Sequence, residues 1–117
     1  PSPQVMGGPG VGTNPDEMLL GAAATCYLIT LAHILENRRL PVLELTMNAE
    51  AVVSQTGSLK FERIIHRPSI VLRADATEQQ LDTAQTAAMR ADKHCMISKA
   101  LHGNVEITVE ASVTRAV

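Results

Sequence analysis

Aromatic side chains are nearly missing from these 117 residues: there is no tryptophan, one tyrosine and one phenylalanine. With 45% apolar residues the chain still has enough to build a core, but that core must be aliphatic and alanine-rich. A surplus of one charge is missing too. Ten lysines and arginines against twelve acids leave a net charge of -2, scattered without a basic stripe. Nucleic acid and anionic membrane surfaces are therefore poor partners, and small neutral substrates remain. Cysteine is scarce as well: Cys26 and Cys95 stand alone, with no CxxC pair and no second ligand close by, so neither a metal nor a cofactor is expected. The first residues lack a charged segment followed by an apolar run, and the chain does not begin with Met. The expectation is a cytoplasmic protein, trimmed at its start, with reduced cysteines.

What is present reads as one domain over residues 1–117, opened by a Pro/Gly-rich lead-in at 1–12. At TNPDE the pattern becomes a helix start. Thr13 or Asn14 can cap, Pro15 suits the first position, and Asp16 and Glu17 favour the positive end of the helix dipole. No charge follows from Met18 to Leu35, until ENRRLP puts arginines in the last turn and Pro41 stops the helix. The uncharged run is near the lower limit for a membrane span. That reading is rejected, because Gly21, Thr25, Thr30, His33 and several alanines dilute it and an amphipathic strand follows. A helix apolar all round needs cover on every side, which points to a partner subunit.

VLELTMNAEAVV alternates, with Leu43, Leu45, Met47, Ala49 and Ala51 on one face, as a half-buried strand does. After a turn at SQTGS, residues 59–74 hold strand material in which Pro68 implies a bulge, a bend or an edge. Thr77 and Gln80 open a second helix as a capping box, running to about His94. NVEITVEASV alternates again. The order α-β-β-α-β predicts an α+β fold with an antiparallel sheet crossed by the long first helix.

Cys26 shares its helix face with Leu19, Ala22, Ala23, Ile29, Thr30 and His33. Such a face could line a narrow apolar pocket, or Cys26 could be one more small core residue. His33 lies about 10 Å along the axis from Cys26, too far for direct proton transfer. Cys95 follows Lys93 and His94 at the start of a short helical turn, an environment that by local rules favours a thiolate.

Two stretches together, TNPDEMLLGAAATCYLITLAHIL and CMISKALHGNVEITVEASV, resemble the OsmC/Ohr family of thiol-dependent peroxidases over residues 12 to 113. The resemblance implies an OsmC-like fold, an antiparallel sheet wrapped around a long central helix in an intertwined homodimer. It implies reduction of organic hydroperoxides in oxidative stress defence, with Cys26 as peroxidatic and Cys95 as resolving cysteine. The two would form an internal disulfide that an external dithiol or lipoylated protein reduces. Asp16 falls where the family more usually has a glutamate that orients a catalytic arginine, with Glu17 as the alternative. That arginine precedes the TNP helix in the family. Every arginine here, from Arg38 to Arg115, follows the helix start, so the activating arginine and the first strands are expected upstream of Pro1. Without an arginine, burial in an apolar helix should raise the Cys26 pKa. The alternative implied is a branch without peroxidase activity, an OsmC-like dimer that binds a small ligand or is structural.

Overall fold

The computed structural model describes residues 13–55 and 57–117, and the expected lead-in lies outside the described residues. Helix α1 runs from Pro15 to Asn37. Asn14 is extended and its Oδ1 accepts the Glu17 amide at 3.0 Å, so the cap and the proline stand where the sequence predicts them. At the other end the arginines follow the helix rather than filling its last turn. The Arg38 amide donates back to Ile34 O, and Arg39 takes a left-handed φ of 55° that turns the chain toward Pro41.

The buried stripe of α1 is Ala23, Tyr27, Leu31 and Leu35, one residue per turn. By length and a mean hydropathy of 1.8 the helix could cross a membrane, but that stripe packs on this chain's own helices and sheet. Only 22% of its apolar window is buried, and Met18 and Ile29 on other faces stay 63% and 64% exposed.

Strand β1 spans Val42–Ser54 and β2 spans Lys60–Leu72, paired antiparallel as a hairpin whose loop includes Gly57 at a φ of 77°. The predicted alternation holds from Leu45 to Ala51. Leu43 breaks it: the register steps from Val42↔Leu72 to Glu44↔Val71, and this bulge turns Leu43 out to solvent.

Helix α2 spans Glu78–Arg90 with the predicted capping box, since Gln80 N donates to Thr77 Oγ1 at 3.1 Å and Thr77 N to Gln80 Oε1 at 2.9 Å. A 3₁₀ turn, Ala91–His94, carries it to the expected end, and helix α3 covers Met96–Leu101. The last predicted strand is split into β3, Glu106–Val109, and β4, Ser112–Arg115. Both pair with β2 in parallel, which corrects the expectation of an antiparallel sheet: only the β1–β2 hairpin is antiparallel. The helices between β2 and β3 form a crossover that brings the chain back to run in the same direction. The α+β class stands.

Pro68 lies within central strand β2 and opposite Met47, without a bulge on that side. His66 and Leu72 carbonyls point toward the β3/β4 side, where they accept from Glu110 N and Ala116 N. By the two-residue alternation Pro68 points there too, and its missing N–H coincides with the break between β3 and β4.

The core joins Tyr27, Leu31 and Leu35 to Ile70, Leu72, Ala84, Ala88, Ala91 and Cys95, aliphatic and alanine-rich as the composition demands. Its one polar ring is His66, fully buried and stacked on Tyr27 with centroids 4.6 Å apart. Neither ring nitrogen has a hydrogen-bond partner among the described residues. Burial pushes its pKa below the ordinary histidine value, against a smaller upward pull from Asp92. A depressed histidine favours the fold while neutral, so its contribution is complete above the unfolded value of about 6.5 and is lost as pH falls toward the folded value. Unfolding free energies from urea titrations between pH 7.5 and pH 5 should fall for the native protein by up to about 1.4 kcal/mol per pH unit in that window. His66→Phe should flatten the profile, and parallel profiles would assign the acid loss to another group.

Candidate functional site

Cys26 sits midway along α1, one residue before the buried Tyr27, and is therefore half-buried at the edge of the packed stripe. Thr30, one turn on, donates its hydroxyl to the Cys26 carbonyl at 2.8 Å. Cys95 is the extended residue between the 3₁₀ turn and α3, with φ -83° and ψ 122°. That break in the helical path lets α3 fold back against α1 and leaves Cys95 fully buried. The structure thus packs two residues 69 positions apart in sequence into one cluster, where each thiol shifts the pKa of the other, and both are free cysteines.

The electrostatics of the pair differ from the sequence expectation on both sides. Burial acts to raise the Cys26 pKa, as expected, but the Cys95 thiol and the free Ile97 and Met96 amides outweigh it, with a small part from Thr30, and the net shift is downward. Cys95 moves the other way, first because it is buried and then because its thiol donates to Cys26, with the Ser98 hydroxyl and amide opposing. Lys93 and His94, which made Cys95 look like the reactive thiol, are exposed and flank it in sequence only. The Met96 and Ile97 amides at the start of α3 favour Cys26 across the contact, while the Ile97 and Ser98 amides also favour Cys95.

Asp16 and Glu17 are not brought to the thiols. They occupy the first turn of α1, where Glu17 is exposed and accepts from Thr13 Oγ1 at 3.4 Å. Ten residues of helix, about 15 Å, separate Asp16 from Cys26. His33 is exposed on α1. Ser98 was not singled out by sequence reasoning, although it is the third residue after Cys95, one helical turn away. It is 6% exposed.

The apolar flank beside Cys26 is open within one chain: Ala22, Ile29 and His33, four, three and seven positions away, are all exposed. A cavity of about 530 Å³ lies elsewhere, between the end of α1 and α2, on Ile34, Arg38, Thr86, Ala87, Arg90 and His94. It contains neither thiol, and the nearer one, about 270 Å³, touches Ser98, Lys93, Lys99 and His102.

Comparison with known proteins gives the family and the fold. The family model for OsmC-like protein matches residues 7–110. Uncharacterized protein YmaD of Bacillus subtilis is 52% identical, over 95% of this chain and 75% of that protein. Organic hydroperoxide resistance protein-like 2 of Staphylococcus saprophyticus is 26% identical, over 95% of this chain and 76% of its own length. Among solved structures, an organic hydroperoxide resistance protein OsmC from Legionella pneumophila superposes with a TM-score of 0.77 at 21% identity, over 95% of this chain and 77% of that one. At that identity the superposition shows a shared fold.

Proposed function

The chain belongs to the OsmC-like protein family, and on that footing we propose that it is a thiol peroxidase reducing organic hydroperoxides in oxidative stress defence. Cys26 is the peroxidatic thiol and Cys95 the resolving thiol. The observation that carries this reading is the packing together of the two free cysteines, with the thiolate favoured at the half-exposed partner and the proton at the buried one. The Cys26 thiolate attacks the terminal peroxide oxygen, the O–O bond breaks, and the alkoxide leaves as an alcohol after taking a proton. The sulfenic acid left on Cys26 then loses water as the Cys95 sulfur attacks, giving the disulfide. An external dithiol or a lipoylated protein restores both thiols by exchange. Asp16, or Glu17 in its place, would orient an activating cation from the start of α1; neither reaches the sulfur itself.

Two copies of the chain act together in this proposal, as a cytoplasmic homodimer. A second α1 laid against Met18, Ala22 and Ile29 would cover the exposed apolar face and close the open flank of Cys26 into a pocket suited to alkyl hydroperoxides. One equivalent of cumene hydroperoxide should remove two thiols per chain, and non-reducing gels should show a single-chain species, since Cys95 is packed against Cys26 of its own chain. Covalent dimers as the main oxidised product would overturn the pairing. A second reading, a dimer that binds a small ligand, is favoured by the polar cavity at the end of α1, remote from both thiols. It requires that the same peroxide remove no thiol.

A further inference from the structure

We propose that Ser98 is a positioning residue for the resolving step, its hydroxyl donating to the Cys95 sulfur once that sulfur is a thiolate. The role in turnover rests on the peroxidase reading above. Ser98 is 6% exposed, and its Oγ is sealed from solvent with no hydrogen-bond partner among the described residues. Helical hydroxyls usually satisfy themselves on the carbonyl four residues back. Thr30 does so on Cys26 O at 2.8 Å and Thr83 on Gln79 O at 2.9 Å, whereas Ser98 makes no such bond to His94. A buried donor left unpaired destabilises the fold, so its retention calls for an acceptor that is present in another state of the site.

Cys95 is that acceptor. It caps α3 without a side-chain capping bond, so its sulfur is not committed to its own helix. Ser98 follows three residues later, on the same face. Its hydroxyl and amide already lie where they favour negative charge on Cys95. In the resting pair the Cys95 proton is donated to Cys26, and a thiol sulfur is a weak acceptor. Oxidation removes the Cys26 thiolate that held this proton. Cys95 then ionises, Ser98 gains a charged acceptor, and the sulfur is held toward Cys26 for attack. The S–O bond breaks, hydroxide leaves and takes up a proton as water, and the disulfide forms.

Cys26 and Tyr27 of α1 are the titratable groups that share the Cys95 cluster, His66 of β2 stacks on the far partner Tyr27, and Asp92 with the exposed Lys93, His94 and Lys99 lies along the Cys95 segment. They are the same in proteins that differ only at Ser98, so a comparison isolates the hydroxyl. Cys95 is titrated by thiolate absorbance in Cys26→Ser and in Cys26→Ser/Ser98→Ala, a measurement that needs no peroxide. The midpoint should rise by about one unit without the hydroxyl, and Ser98→Thr should restore it. An unchanged midpoint overturns the proposal. With both cysteines present, Ser98→Ala should leave the first thiol loss within about twofold and slow disulfide formation about tenfold at pH 7, with its pH profile displaced upward. Equal slowing of both steps would show a merely structural role and also overturn it. A raised midpoint in a protein that consumes no peroxide would keep Ser98 as the partner of Cys95 and remove the peroxidase reading instead.

Discussion

Cys26→Ser is expected to abolish peroxide consumption, a loss on the order of a thousandfold or more, as when other covalent nucleophiles are removed. Cys95→Ser should behave differently: one turnover, then a sulfenic acid at Cys26 that a dimedone-type reagent captures. The asymmetry follows from burial and donors. Cys26 is half-exposed and its pKa is lowered by the Cys95 thiol and two amides that outweigh its desolvation, so a peroxide can reach a sulfur whose thiolate is favoured relative to an ordinary cysteine. Cys95 is fully buried with a raised pKa. The rate of the first step should fall on acidification as pH passes below the lowered Cys26 value. The flanking Lys93 and His94 argue for the opposite assignment from sequence alone. A sulfenic acid trapped at Cys95 in the Cys26→Ser protein would show that assignment to be the right one.

That contrast marks where the sequence was legible. Helix-start signals that act within one turn were read correctly: Asn14 and Pro15 at the start of α1, and the Thr77–Gln80 box at the start of α2. The α+β class was also legible, because alternation and helical periodicity need only a local window. The direction of the last strands was not, since whether β3 runs with or against β2 depends on the crossover through α2 and α3 rather than on any residue within β3. The pKa order of the thiols was misread for the same reason. The amides that lower Cys26 belong to Met96 and Ile97, about 70 residues away in sequence, and no local rule connects them. Pro68 falls between the two cases. Its constraint was recognised, but only the pairing shows it as the gap between β3 and β4.

Tyr27→Ala should destabilise the fold by about 3–5 kcal/mol, a large share of the roughly 5–15 kcal/mol that holds a domain of this kind together. Tyr27 is the single tyrosine, fully buried in an alanine-rich core, where its neighbours Ala84, Ala88 and Ala91 have no side chain with which to fill the space it would leave. The ring stacks on His66 of β2, and its hydroxyl donates to the Ala88 carbonyl of α2 at 2.6 Å, so one side chain ties α1 to both the sheet and the second helix. Burial, with the Asp92 charge adding to it, pushes the phenol's pKa upward and keeps it a neutral donor. Tyr27→Phe separates the two contributions: it keeps the ring and should cost about 1 kcal/mol for the lost bond. Denaturant midpoints at one fixed protein concentration provide the measurement, because assembly with a second copy would otherwise shift them. The effect should extend to the thiols, since Tyr27 is the residue after Cys26 and Ala88 leads through the 3₁₀ turn to Cys95. Tyr27→Ala should therefore slow disulfide formation where Tyr27→Phe leaves it near the native rate. A Tyr27→Ala protein within about 1 kcal/mol of native stability would mean that the alanine core can collapse around the loss, and that His66 and Ala88, not the ring between them, hold the layers together.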